Sequence, residues 1–232
     1  MVEGTRVAII PARGGSKRIH KKNIIDFCGK PMLAWTIQAA NQSGLFARVV
    51  VSTDDPEIAE VSREYGASVP FLRARYSDDI TPVSMATIAT LEQLRDVQGE
   101  EFDVAVQLMA NCPLRRARHI ADAFDQFVAR EARSQISCFR FGWMNPWWAA
   151  TLGADGRPTS LFPDAGLKRS QDLPPLYCPT GAVWIARVPH LISNQTYHTP
   201  DRLFCEMPWE AAVDIDDADD LRMAKSLFRP DD

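Results

Sequence analysis

The chain has 232 residues, 46% of them apolar and 24% charged, which suits one folded α/β domain and excludes disordered and fibrous classes. Its formal net charge of −4 excludes nucleic acid or an anionic membrane as the main partner, because either needs a broad excess of Lys and Arg. Five widely spaced cysteines without a C-x-x-C pair predict neither a disulfide framework nor a zinc site, and make a reducing cytoplasm the expected compartment.

In chain order, Arg6 to Ile10 reads as a strand. Its apolar run is shorter than the roughly 7 to 15 residues of a signal-peptide core, and no later stretch approaches the roughly 18 of a membrane span, so neither export nor anchoring is expected. Pro31 to Gln42 follows as a helix with Met32, Leu33, Trp35 and Ile37 on its apolar side. Arg48 to Ser52 is Val-rich and predicts a buried strand. Asp55 is placed to cap the next helix, with Pro56 at its first position and Gly66 closing it. Ser68 to Leu72 reads as a third strand, and Thr81-Pro82 repeats the cap-then-Pro signal before Met85, Ile88, Leu91 and Leu94. Asp103 to Met109 is the fourth strand, and a helix carrying Ile120, Phe124 and Phe127 leads to a fifth at Ser134 to Phe139. This alternation predicts a mostly parallel sheet with helices on both faces.

From about 140 to 176 both periods fail, while Trp143, Trp147 and Trp148 accumulate. The segment is expected to be an inserted arm packed against a partner subunit, or else a lid on its own domain. Regular structure resumes with strands at Gly181 to Ile185 and Ala211 to Ile215 and a final helix at Asp217 to Leu227, so that 1–232 reads as one domain with an arm.

The charge is unevenly spread. Met1 to Pro31 holds seven basic residues against two acidic ones, a net of +5, which leaves −9 elsewhere. Most of the cations fall in Pro11-Ala12-Arg13-Gly14-Gly15-Ser16-Lys17-Arg18-Ile19-His20-Lys21-Lys22-Asn23, directly after the first strand. That is where open α/β sheets bind ligands. Gly14 and Gly15 would let the backbone approach a phosphate, and Arg13, Lys17 and Lys22 would neutralise its oxygens. Neither a P-loop nor a G-x-G-x-x-G fingerprint is present. Near the other end, Asp214 and Asp216 would share one side of a strand, a pair of hard oxygen donors suited to Mg²⁺. Asp217 and Asp219 belong instead to the start of the last helix.

These residues carry a resemblance. The opening P-A-R-G-G-S-K-R-I-x-x-K-N followed by F-C-G-K-P-M-L-A-W resembles that of the acylneuraminate cytidylyltransferases, which activate sialic, pseudaminic and legionaminic acids as CMP derivatives. Ser52-Thr53-Asp54-Asp55, Tyr65-Gly66-Ala67 with Val69 to Arg73, Arg169-Ser170-Gln171-Asp172-Leu173-Pro174, and Asp214-Ile215-Asp216 match in the same order. The resemblance implies a Rossmann-like nucleotidyltransferase fold with a dimerisation arm, a homodimer, and a reaction of CTP with a nine-carbon 2-keto acid sugar that releases pyrophosphate. By position it implies catalytic roles for Arg13, Lys17 and Lys22, and nucleotide binding by Ala12, Arg13, Gly14, Gly15, Ser16, Lys17, Lys22, Asn23 and Arg73. It implies sugar binding by Arg169 and Gln171 and a Mg²⁺ pair in Asp214 and Asp216. Arg169 has a second reading, as an ion pair with Asp172.

One stretch departs from the pattern. Many members read Q-P-T-S-P-L-R where this chain has Met109-Ala110-Asn111-Cys112-Pro113-Leu114-Arg115, so Met109 stands at the sugar-contacting glutamine. Gln107, two residues earlier, would face the same side of a strand. The enzymes that activate the eight-carbon acid Kdo are the second reading, since their cradle lacks the Lys22-Asn23 pair. A non-catalytic nucleotide binder and a D-x-D glycosyltransferase are further alternatives.

Overall fold

A computed structural model describes residues 4–76 and 80–230. Its elements, in chain order, are β1 (Arg6–Pro11), a 3₁₀ turn at Lys22–Ile24, β2 (Asp26–Phe27), β3 (Lys30–Pro31), α1 (Met32–Gln42), β4 (Arg48–Ser52), α2 (Pro56–Glu64) and α3 (Val83–Gln98). There follow β5 (Val104–Gln107), α4 (Ala117–Ala129), β6 (Ser134–Arg140), β7 (Ala150–Leu152), β8 (Pro158–Ser160), β9 (Tyr177–Arg187), α5 (Val188–Asn194), β10 (Leu203–Glu206) and α6 (Ala218–Leu227).

Six strands form one sheet in the order β10-β6-β9-β5-β1-β4. β1 pairs in parallel with β4 and β5, and β10 with β6, whereas β9 runs antiparallel to β5 and β6. The sheet is therefore mostly parallel, with one reversed strand. The alternation of side chains along each strand explains why the apolar runs are continuous. Ala8, Ile10, Val49, Val51, Val104 and Val106 pack with α1, α2 and α4 on one face, through Leu33, Ile58, Phe124 and Phe127. Val7, Ile9, Val50 and Ala105 pack on the other, with Ile88, Leu91 and Leu94 of α3 and Leu191 of α5.

The caps follow local chemistry. The Asp55 carboxylate accepts the amide protons of Glu57 at 2.8 Å and Ile58 at 3.2 Å, and Gly66 closes α2 with φ +88°. Asp217 does the same for α6. Thr81 does not cap α3; Pro82 holds that position without a side-chain bond.

Two expected strands change form. Ser68 to Leu72 shrinks to a single bridge between Ser68 and Val50, because Pro70 has no N–H to donate to a ladder. Ala211 to Ile215 is a 3₁₀ turn at Glu210–Ala212 followed by extended chain, whose Ile215 N–H donates to the Asn111 carbonyl at 2.9 Å rather than to a neighbouring strand. The strand expected at Gly181 to Ile185 runs longer, over Tyr177–Arg187. β10, α5 and the β2–β3 hairpin had no clear periodic signal, being only two to seven residues long.

Within 140–176 the arm folds on local contacts. β7 and β8 pair antiparallel, and Trp147 meets Phe162 edge-on at 5.0 Å while its indole N–H donates to the Pro174 carbonyl. Trp143 is 86% and Leu167 92% exposed. Among the described residues no helix is long and apolar enough to cross a membrane.

Candidate active site

The carboxyl ends of β1 and β5 open into a cleft of about 620 Å³, lined by Arg13, Ser16, Lys17, Arg18, Lys22, Asn23, Arg73, Met109, Asn111, Asp214 and Asp216, among others. The expected cationic segment and the expected acidic pair thus face one space, although no regular strand carries the acids.

The 3₁₀ turn at Lys22–Ile24 begins after Lys21, whose φ of +50° reverses the chain. This throws the Lys22 side chain toward the far end of the sequence, where Nζ donates to Asp216 Oδ1 at 2.9 Å and to the Ile215 carbonyl at 2.8 Å. Arg18 reaches the other Asp216 oxygen at 2.8 Å. Asn23 is buried and donates to the Arg13 carbonyl at 2.9 Å, which pins the loop that carries the other cations.

Asp216 is set by the helix that follows: its N–H donates to Asp220 Oδ2 in the α6 capping arrangement. Asp214 accepts from the Asn111 side-chain amide, which also donates to the Ile215 carbonyl at 3.1 Å. Asn111 therefore staples the acidic segment to the loop after β5. The two carboxyls differ electrically. Loss of water within the cleft, with the Asp216 charge added, pushes Asp214 up to about 6, against a smaller opposing pull from Lys22. Burial works to raise Asp216 as well, but Lys22 and Arg18 together outweigh it and hold that carboxyl below its ordinary value.

Arg73 also lines the cleft, buried, donating to the Ser52 carbonyl at 3.2 Å and hydroxyl at 3.3 Å. Burial lowers its pKa, the Asp54 charge opposes that, and neighbouring Arg13 adds to it. Its Nε has no hydrogen-bond partner among the described residues. Arg115, fully buried, donates to Ala182 O at 2.5 Å, Thr36 Oγ1 at 2.7 Å and Met109 O at 3.4 Å, tying α1, the loop after β5 and β9 together. Burial lowers its pKa to about 10, so it stays charged at neutral pH.

The remaining expected residues divide. Ala12 is buried and contributes its N–H to the Ser52 carbonyl at 2.9 Å. Gly14 does not aim its N–H into the cleft; it donates to Asp54 Oδ1 at 3.0 Å. A Cβ there would come within 2.6 Å of Asp55 Oδ2, so the glycine is required by the cap of α2. Gly15 has open space around its Cα and lies outside the cleft lining. Gln107 is fully buried, its amide oxygen accepting from Thr87 Oγ1 at 2.6 Å, and does not reach the cleft. Arg169 and Gln171 are on the arm, exposed and outside the lining of this cleft, with Arg169 paired to Asp172 at 2.8 Å and 3.1 Å. Of the two readings of Arg169, the ion pair is what a single chain contains.

Sequence reasoning passed over Arg18 and Asn111. Arg18 carried a signal as one more cation in a basic loop; Asn111 carried none, because its partners lie 103 and 104 residues away.

Comparison with known proteins supplies a family. A model described as Cytidylyltransferase matches residues 7–144. The pseudaminic acid cytidylyltransferase of Campylobacter jejuni is 33% identical over 96% of this chain and 96% of its own length. The CMP-N,N'-diacetyllegionaminic acid synthase of Legionella pneumophila is 31% identical, again over 96% of this chain, and 95% of its own. A CMP:2-keto-3-deoxy-manno-octonic acid synthetase complexed with CTP superposes with a TM-score of 0.71 over 96% of this chain and 98% of that one, a likeness of fold at 18% identity.

Proposed function

The chain belongs to the cytidylyltransferase family, and from that premise we propose that it transfers CMP from CTP to a nonulosonic acid of the sialic, pseudaminic and legionaminic class. The observation that carries this reading is the convergence of Lys22 and Arg18 with Asp216 beside Asp214, in one cleft at the carboxyl ends of the strands. A triphosphate and a divalent cation are the ligands that such a divided field suits: anions toward the basic loop, a cation toward the acids.

In the proposed step the anomeric hydroxyl oxygen of the acid attacks the α-phosphorus in line. An O–P bond forms as the bond from the α-phosphorus to the oxygen bridging it to the β-phosphate breaks, the hydroxyl proton passes to solvent, and pyrophosphate leaves with the electron pair. Arg13, Lys17 and Lys22 stabilise the charge that builds on the leaving group. Ser16, Asn23 and Arg73 hold the nucleotide, Arg73 through a guanidinium whose Nε has no partner among the described residues. Ala12, Gly14 and Gly15 act by fixing the backbone of the loop.

Asp214 and Asp216 would hold Mg²⁺. The donor set fits: both are hard oxygens, and the poor solvation and neighbouring negative charge that raise Asp214 are what a divalent cation relieves. When bound, the ion would polarise the phosphoryl oxygens. Lys22 and Arg18 pair with Asp216, and these cations would turn to the phosphates where Mg²⁺ took their place beside the acid.

The exposed apolar side chains of the arm support a homodimer. Arg169 and Gln171, which lie outside the cleft lining of their own chain, would meet a sugar acid from the arm of a second copy. The cytoplasm is the proposed compartment, in keeping with five free thiols.

The test is release of pyrophosphate from CTP and Mg²⁺ with sialic, pseudaminic, legionaminic and Kdo acids in parallel. Turnover with a nine-carbon acid, abolished by EDTA and restored by Mg²⁺, is expected. Turnover with Kdo alone, or with none of the four, would overturn the reading.

A further inference from the structure

Met109 is an apolar side chain in the lining that also holds Asp214 and Asp216. Its N–H donates to the Gly181 carbonyl at 3.2 Å, and its side chain lies on the bare Cα of Gly181, where a Cβ would fall 2.6 Å from Met109 Cγ. The same point is 3.8 Å from Asp214 Oδ2. Met109 and the Asp214 carboxylate therefore flank one glycine, and both line the cleft.

The surroundings of Met109 hold their hydrogen bonds inward. The Gln107 amide, fully buried, donates to Met109 Sδ at 3.8 Å and accepts from Thr87. Arg115 and Thr36 donate to the Met109 carbonyl at 3.4 Å each. The Asn111 amide is committed to Asp214 and Ile215. Beside Asn111, whose amide protons are committed, this stretch offers the cleft a thioether and the methyl of Ala110, neither of which donates a hydrogen bond. A substrate hydroxyl pressed onto Met109 would exchange water for at best the weak acceptor of a thioether, whereas a methyl or methylene would gain contact.

Resting on the reading above that the acceptor is a nonulosonic acid, we propose that Met109, seated on Gly181, selects among these acids for those deoxygenated where they meet it. Pseudaminic acid, with a methyl-terminated side chain, belongs to that group; N-acetylneuraminic acid, with a hydroxylated one, does not.

The experiment compares kcat/KM for these two acids, at saturating CTP and Mg²⁺, in the wild type, Met109→Gln and Met109→Leu. The wild type is expected to favour pseudaminic acid by about tenfold or more, the scale on which apolar surfaces discriminate. Met109→Leu should keep that ratio. Met109→Gln, which gives the Gln107 amide a stronger acceptor and adds a donor to the cleft, should cut it by about tenfold with KM for CTP unchanged. Equal efficiency with both acids in the wild type, or a ratio untouched by Met109→Gln, overturns the role of Met109 and leaves the proposed reaction standing. If Met109→Gln loses all turnover, the wild-type and Met109→Leu ratios decide. No turnover of any nine-carbon acid by the wild type would remove the reading on which the inference rests.

Discussion

In the cleft, charged side chains are partly withdrawn from water and tied to partners far away in the chain, Lys22 to Asp216 and Asn111 to Asp214. In the arm, Trp143 and Leu167 stand 86% and 92% exposed on a segment held mainly by its own short-range contacts. The first arrangement gathers opposite charges around a hollow, which suits small charged ligands. The second leaves apolar surface in water, which suits a protein partner. Polar groups drawn inward and apolar groups turned outward are thus two separate indications of function in one chain.

The contrast is broken most forcefully at Lys22. Lys22→Ala should lower kcat about 10²-fold or more, the usual effect of losing a donor aimed at developing charge, while oligomeric state is unchanged. Pyrophosphate release at saturating CTP and Mg²⁺ measures it, and a near-normal kcat would remove Lys22 from the reaction. The arm should behave inversely. Replacing Trp143 and Leu167 together by Ser should halve the mass seen by light scattering at micromolar concentration, leaving each chain folded by circular dichroism; a wild type that is already monomeric would sink the dimer.

Gly14→Ala sharpens the comparison on the basic loop, because its effect should be on stability. The new methyl meets Asp55 Oδ2, and disturbing that cap should destabilise the fold by about 0.5–2 kcal/mol, seen as a lower Tm. The smallest effect is expected at Arg169. Its pair with Asp172 is exposed, so Arg169→Ala should leave Tm nearly unchanged, on the scale of about 0–1 kcal/mol for such pairs. Its KM for the sugar acid should rise more than that for CTP if the arm of a second copy serves the site, and equal KM values would confine Arg169 to the arm.

How much of this was legible in advance depends on distance along the chain. The β1 and β4 strands, the helix beginning at Asp55-Pro56, the last helix after Asp217 and the basic loop all follow from residues within a few positions of one another. Asn111 was not legible, since an asparagine in a loop has no periodic or capping signature until its partners are in place. Gln107 shows the same limit from the other side. The two-residue spacing rightly puts it on one face of the chain with Met109, yet α3 covers that face at Gln107 and leaves it open at Met109.

The sequence by itself determined the parts governed by short-range rules: alternation that buries both faces of β1 and β4, caps that start α2 and α6, and cations concentrated after the first strand. Tertiary structure alone decided that Lys22 meets Asp216 across 194 residues, that β9 runs against its neighbours, that Met109 rests on Gly181, and that Arg169 turns to Asp172. The physical reason is range. Periodicity and capping act through the backbone over one or two turns, whereas charge pairing and close packing depend on which distant segments the sheet order brings together.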